Sequence, residues 1–326
     1  MNETFVLNAG RDVTLSAYIV SDRPVPSVLI APGGGYLNHS EWECEPVAKA
    51  YNEHGYNAFI LRYSVGEHYK WPYPLDDFNQ AMEYITAHAE ELKVDTDHII
   101  AVGFSAGGHL VSMAASLAGK NPFAAVICYG VTLGGMLKSV PDAPNACAAV
   151  STETCPCFIA ASRTDWIVPV QNTNAFVRAL DDNFVDYELH IYGYAPHGFA
   201  LGDAAGQDGT CGRVGNWFRD SVDWLDELMS GKYVSIKECG EYNDRFGTEP
   251  GLGNSCGKLL AHPGVADLML SEFPQQYAVY QAAKSTLDAI LNVDSVSMKS
   301  LLRFFKTPAS VLSKLEESLT NFFSKK

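Results

Sequence analysis

The chain has 326 residues, of which 47% are hydrophobic and 19% charged, and its formal net charge is −15. That composition excludes extensive disorder, and the length is enough to bury most of the apolar surface without disulfides or metals. The negative charge repels phosphate backbones, so no nucleic-acid partner is expected, and neutral substrates such as sugars or simple esters are favoured over anions.

Strands and helices alternate through the first two-thirds of the sequence. Residues 13–20 alternate apolar and polar like a half-buried strand, and the short apolar run 27–31 stops at Pro32-Gly33-Gly34-Gly35. A helix is expected over 46–54, ended by Gly55, then a strand over 57–63. Residues 75–92 have helical spacing, with Leu75, Phe78, Met82, Ile85 and Ala89 on one face. A strand over 98–103, a helix over 106–118, and strands over 124–129, 157–161 and 187–192 follow, with helices over 173–180 and 217–229. Continuous apolar strands separated by helices imply an α/β fold: a mostly parallel sheet covered by helices on both faces. Active sites in such sheets lie beyond the carboxyl ends of the strands.

The texture changes near residue 232. Residues 238–257 are rich in Gly, Asn and Pro and read as a linker, so a catalytic domain over 1–232, a linker over 233–257 and a small C-terminal helical domain over 258–326 are expected. Helices are expected there over 278–291, 297–305 and 309–323. In the last, Val311, Leu312, Leu315, Leu319 and Phe322 form an apolar stripe. No internal repeat is evident. No run reaches the roughly 18 apolar residues of a membrane span, so no membrane partner is expected. Residues 1–6 have neither a basic stretch nor a long apolar run, so they do not read as a secretory signal and a cytoplasmic location is expected. The eight cysteines would then stay reduced, and Cys155-Pro156-Cys157 is too tight for a C-x-x-C metal or redox pattern. Neither a metal nor a cofactor is expected.

Gly103-Phe104-Ser105-Ala106-Gly107 lies between an expected strand and an expected helix. This is the context the G-x-S-x-G nucleophile elbow requires: a sharp, strained turn between near-naked neighbours lifts the serine hydroxyl above the sheet. The alternative is a plain glycine-rich turn that binds phosphate. Acyl transfer also needs backbone N–H groups at the developing oxyanion. Ala106, after the nucleophile, is one candidate, and Gly34 and Gly35 in the early glycine loop are the others, unless that loop is a plain turn. A serine hydroxyl needs a base. Of nine histidines, His197 in Ala195-Pro196-His197-Gly198-Phe199 follows the last expected strand. Asp165 follows the strand before it and completes the chain order Ser, Asp, His. Tyr36, His39, Arg62 and Trp166 stand near motif ends and are candidates for the pocket lining, or for packing and surface.

Together, Pro32-Gly33-Gly34-Gly35-Tyr36, Glu45-Pro46-Val47-Ala48, Leu61-Arg62-Tyr63, Tyr73-Pro74-Leu75-Asp76-Asp77, the elbow through Leu110, Asp165-Trp166-Ile167-Val168-Pro169 and His197-Gly198-Phe199 resemble the acetyl esterases and acetylxylan esterases of the α/β-hydrolase superfamily, often grouped with prolyl-oligopeptidase-like and feruloyl-esterase-like hydrolases. The resemblance covers roughly residues 13–230. It implies the α/β-hydrolase fold, a triad of Ser105, Asp165 and His197, an oxyanion hole from Gly34, Gly35 and Ala106, and a small-molecule ester substrate, with removal of acetyl groups from sugars such as xylo-oligosaccharides. An amidase or peptidase of the same fold is the rival reading. A third is a scaffold whose C-terminal helices bind a partner. Those helices depart from the simplest relatives and leave pocket shape and a homo-oligomer through them open.

Overall fold

Every central strand of the sheet is apolar on both sides, and the structure shows why. In the computed structural model, which describes residues 2–117, 119, 121–135, 140–203, 212–236, 251–252, 254–288 and 293–324, eight strands form one sheet in the order β1-β2-β4-β3-β5-β6-β7-β8. They are β1 (Asn2–Asn8), β2 (Val13–Tyr18), β3 (Val25–Ala31), β4 (Asn57–Arg62), β5 (Val94–Phe104), β6 (Ala124–Cys128), β7 (Cys157–Ser162) and β8 (Tyr187–Tyr192). β1 pairs antiparallel with β2 and β2 with β4, while every pairing from β4 onward is parallel. Successive strand residues point to opposite faces. Leu29, Phe59, Ala101 and Ile127 therefore enter one core, and Val28, Ile60, Val102 and Val126 enter the other.

Helices close both faces. α2 (Tyr73–Ala87), α4 (Ser105–Leu117) and α5 (Gln171–Asp182) seal the first core with Phe78, Ile85, Leu110, Val111, Phe176 and Leu180. α1 (Glu45–Glu53) and α6 (Asn216–Met229) seal the second with Val47, Tyr51, Trp217 and Leu225. Each fully buried aromatic or aliphatic side chain contributes about 1.5–3 kcal/mol from apolar burial.

The expected elements are present with shifted ends, and some differ more. β1 is an additional edge strand whose Phe5 and Leu7 pack on the first core. The helix expected over 75–92 breaks at His88: α2 ends there, and a single turn, α3 (Ala89–Leu92), closes at Lys93 in the left-handed region. β5 begins at Val94 rather than at 98.

The chain divides into two units, Met1–Tyr233 and Val234–Lys326. The second contains α7 (Cys256–Leu260), α8 (Val265–Glu272), α9 (Pro274–Leu287), α10 (Met298–Phe304) and α11 (Ala309–Phe323) around Leu259, Met269, Met298, Leu302, Leu315 and Leu319. α7 and α8 were not among the helices expected from spacing. Of the α11 stripe, Leu312, Leu315 and Leu319 are buried, while Val311 and Phe322 are half-buried. Ser255 and Ser297 pair across an antiparallel bridge, and each caps the helix that follows it. Residues 237–250 and 253 of the expected linker, with Cys211 and Cys239, lie outside the described residues. The six described cysteines are free. Among the described residues no helix is long and apolar enough to cross a membrane, and no cluster of His, Cys, Asp or Glu suits a metal ion.

Candidate active site

Four loops at the carboxyl ends of β3, β6, β7 and β8, and the direct turn from β5 into α4, carry the polar residues of the site. β5 turns directly into α4 at Ser105, whose φ of +51° lies in the left-handed region. A non-glycine residue holds that conformation only where its surroundings enforce it. Here the enforcement is contact: a Cβ on Gly107 would stand 2.0 Å from the Ala31 carbonyl oxygen. Only glycine lets α4 start this close to β3. Ser105 is also the first residue of α4, at the end of a helix where unpaired N–H groups favour negative charge.

Ser105, His197 and Asp165 form one hydrogen-bonded chain. Ser105 Oγ is 2.9 Å from His197 Nε2, and His197 Nδ1 is 2.7 Å from Asp165 Oδ2. An ionised carboxylate only accepts, so Nδ1 carries the proton and Nε2 is left to accept from the serine. The other carboxylate oxygen, Oδ1, accepts from the Ile167 N–H at 3.0 Å and the Val168 N–H at 2.8 Å. The acid is therefore held from two sides and nearly buried. The β7 and β8 loops are stitched together nearby, since Ser162 Oγ donates to the Ala195 carbonyl at 2.8 Å. Of the rival acids, Asp181 accepts from the Tyr187 hydroxyl and Glu188 pairs with His190.

The glycine loop folds back on itself. Leu37 and Asn38 both donate to the Gly34 carbonyl, and Gly34 has φ +122° with Asn38 O 2.1 Å from where a Cβ would sit. No side chain fits there. Among the described residues the Gly34 and Gly35 amides donate to no backbone or side-chain acceptor. The loop's other end is anchored by Gly33, whose N–H donates to Glu43 Oε2 at 2.6 Å.

The four further candidates part company. Tyr36 is fully buried, edge-on to Tyr63, with its hydroxyl donating to His109 Nδ1 at 2.7 Å. This corrects the pocket-lining expectation: the side chain is a core residue because the left-handed turn at 36 aims it inward. Its partner His109 donates from Nε2 to the Pro144 carbonyl at 2.8 Å, and burial pushes its pKa down to about 4. His109 is thus a neutral packing residue. His39 is half-buried, edge-on to Tyr63, and burial pushes its pKa down to about 4 as well. Arg62 is engaged by both Glu41 oxygens at 2.8 and 2.7 Å, and this hydrogen bonding holds the Glu41 carboxyl below its usual range. Trp166 is 80% exposed on the same loop as Asp165.

Two groups escaped the sequence reading. Glu43 is buried beneath the glycine loop, and Tyr129, at the end of β6 with φ +40°, lies edge-on to the His197 ring at 5.1 Å. Glu43 gives no local signal, because its partners are ten and 86 residues away.

Comparison with known proteins places this architecture. Residues 15–132 match the BD-FAE family model and residues 75–199 match that of the phospholipase/carboxylesterase family. Among solved structures, the chain is similar to MGS-M1, an alpha/beta hydrolase enzyme from a Medee basin deep-sea metagenome library, with a TM-score of 0.66 and 32% identity over 71% of this chain and 98% of that one. It is also similar to an acetyl ester-xyloside bifunctional hydrolase from Caldicellulosiruptor lactoaceticus, with a TM-score of 0.61 and 29% identity over 67% of this chain and 89% of that one. Endo-1,4-beta-xylanase B of Butyrivibrio fibrisolvens is 26% identical over 206 residues, covering 53% of this chain and 32% of the relative, so the chain spans about a third of that protein's length. With the eight-stranded sheet, the elbow at Ser105 and these matches taken together, the chain belongs to the α/β-hydrolase superfamily.

Proposed function

We propose that this protein is a serine carboxylesterase that removes short acyl groups, acetyl above all, from carbohydrates. The observation that carries the reading is the unbroken chain from Ser105 Oγ through His197 to Asp165, seated on a strained elbow. Such a chain turns a weak hydroxyl nucleophile into a competent one. His197 Nε2 takes the Ser105 proton as Oγ attacks the ester carbonyl. Asp165 holds the imidazole in the correct tautomer and stabilises the imidazolium. The amides of Gly34, Gly35 and Ala106 receive the oxyanion of the tetrahedral intermediate. His197 then gives its proton to the departing alcohol, and water repeats the cycle on the acyl-enzyme.

Acetylated sugars are favoured by three considerations. The relatives include one named for an acetyl ester-xyloside and one named as a xylanase. The net charge of −15 suits neutral substrates. Trp166, and Tyr194 at 72% exposure on the β8 loop, offer exposed aromatic faces on the two loops that carry the acid and the base. Tyr and Trp are enriched at binding interfaces because each joins a large apolar ring to a polar group.

The test is hydrolysis of p-nitrophenyl acetate, butyrate and octanoate by the wild type and by Ser105→Ala. Acetate turnover that declines with acyl length and drops by about 10⁴-fold or more in the variant is the expected result. Activity surviving in Ser105→Ala, or turnover of anilides in preference to esters, would overturn the reading.

A further inference from the structure

Three carboxyl groups are buried among the described residues. Asp77 meets the Arg11 guanidinium and Asp165 meets His197, whereas Glu43 has no hydrogen-bonded cation. Its partners are neutral: Oε2 accepts from the Gly33 N–H at 2.6 Å and Oε1 accepts from the Tyr129 hydroxyl at 2.7 Å. A buried carboxyl held only by neutral donors is costly. Burial indeed pushes its pKa up despite those donors.

The partners show what the group holds in place. Gly33 is wedged between Glu43 and the nucleophile: a Cβ on it would stand 2.8 Å from Glu43 Oε2 and 2.9 Å from Ser105 Cβ. Tyr129 Oη also accepts from the Ala200 N–H at 3.1 Å, and its ring abuts both His197 and Phe199. One carboxyl therefore joins the glycine loop after β3, the tyrosine after β6 and the histidine loop after β8.

We propose that Glu43 is a positioning residue for the hydrolytic reaction: its two oxygens lock the glycine loop to the histidine loop through Gly33 and Tyr129, fixing the Gly34 and Gly35 amides relative to Ser105. The inference rests on the esterase reading of the Ser105 site. Geometry is the currency of such a role, because amides misplaced by a fraction of an ångström stabilise an oxyanion poorly. Glutamine at 43 keeps the volume but turns one of the two acceptors into an NH2 donor, which faces either the Gly33 N–H or the Tyr129 hydroxyl.

The experiment measures p-nitrophenyl acetate hydrolysis by the full chain as wild type, Glu43→Gln, Tyr129→Phe and the double variant. Rates are normalised to sites labelled by a fluorophosphonate. Glu43→Gln is expected to lower kcat by about 30-fold with KM within about twofold. A boronic acid, which forms a tetrahedral adduct on the serine, should lose affinity by the same factor as kcat/KM. Tyr129→Phe should lower kcat by about fivefold, and the double variant should be no worse than Glu43→Gln alone, because both break one clamp. Turnover per labelled site within twofold of wild type in Glu43→Gln, or losses that multiply in the double variant, overturn the proposal. If Glu43→Gln does not fold, Tyr129→Phe decides by the same criterion of lowered kcat at constant KM. A wild type that neither turns over esters nor takes the label overturns the esterase reading itself, an outcome distinct from an active wild type with an indifferent Glu43.

Discussion

The two units of this chain bury different kinds of side chain. Residues 1–233 bury Glu43, Asp77, Ser105, His109 and Asp165 among their apolar neighbours, each of them hydrogen-bonded. In the second unit the buried polar side chains among the described residues are Asn254 and Ser297. Asn254 accepts from the Gly251 N–H and Ser297 caps α10. The rest of its core consists of aliphatic, aromatic and sulfur-containing side chains, with the Tyr280 hydroxyl donating to Asp294. In the first unit, stability and site geometry are thus the same set of contacts, because moving a loop unpairs a buried polar group. In the second unit, stability is apolar volume, and volume can change without touching a reacting atom.

The largest effect that would expose this difference is expected from Gly107→Ala. The added methyl meets the Ala31 carbonyl oxygen at 2.0 Å and the Pro32 carbonyl oxygen at 2.5 Å, so α4 or β3 must move. Backbone displacement of that kind costs more than about 4 kcal/mol. Urea unfolding should show that loss, and ester turnover per folded molecule should collapse with it because the elbow moves. A folded, fully active Gly107→Ala would show that stability and geometry are separable here.

Leu315→Ala is the counterpart in the second unit. Leu315 is fully buried, and its truncation should cost about 3 to 4 kcal/mol through the cavity left behind. Calorimetry should show a lowered transition while turnover remains at the wild-type value. A parallel fall in kcat would break the comparison, since every proposed site residue lies in the first unit.

Acid provides the smallest and most graded test. Burial lowers the pKa of His109 from 6.5 to about 4, so the folded state resists a proton that the unfolded chain accepts. The stability this neutral imidazole contributes is complete above about 6.5 and is lost as pH falls toward 4, by about 3 kcal/mol in total. His39 adds to the same window with a smaller weight, being less buried. Thermal melts between pH 7 and pH 4 should fall steeply for the wild type and less so for His109→Gln. A melting temperature flat across that range would contradict the buried, neutral assignment.

Much of the fold was legible because central parallel strands announce themselves as unbroken apolar runs. Residues 27–31 and 157–161 lie in such strands, and the run 124–129 covers β6 and one residue beyond it. β1 was not legible. As an edge strand it alternates weakly, with Phe5 and Leu7 half-buried and Val6 exposed. The break at His88 was also hidden, because residues 75–92 keep helical spacing across it and only the left-handed Lys93 enforces the turn into β5. At the site, Ser105, His197 and Asp165 stand where their motifs suggested, each just after a strand. Tyr36 misled because its motif position is right and its direction is not: a backbone turn decides where a side chain goes. Glu43 lies between Glu41 and Glu45, two exposed acids from which nothing in the local sequence distinguishes it. Its role is written in contacts with Gly33 and Tyr129, which only the closed sheet brings together.

The order of strands in the sheet has a consequence for how such a protein can diversify. β5, which leads into Ser105, is flanked on both sides by β3 and β6, so Ser105 and the glycine loop sit on one packed block. His197 follows β8, a rim strand that pairs only with β7 among the described residues. Insertions and exchanges are tolerated at rims and in long connections far better than in a packed interior. Descendants of this scaffold therefore have room to reshape the surface beside His197, which on the proposed esterase reading faces the alcohol, while the block around Ser105 is kept unchanged.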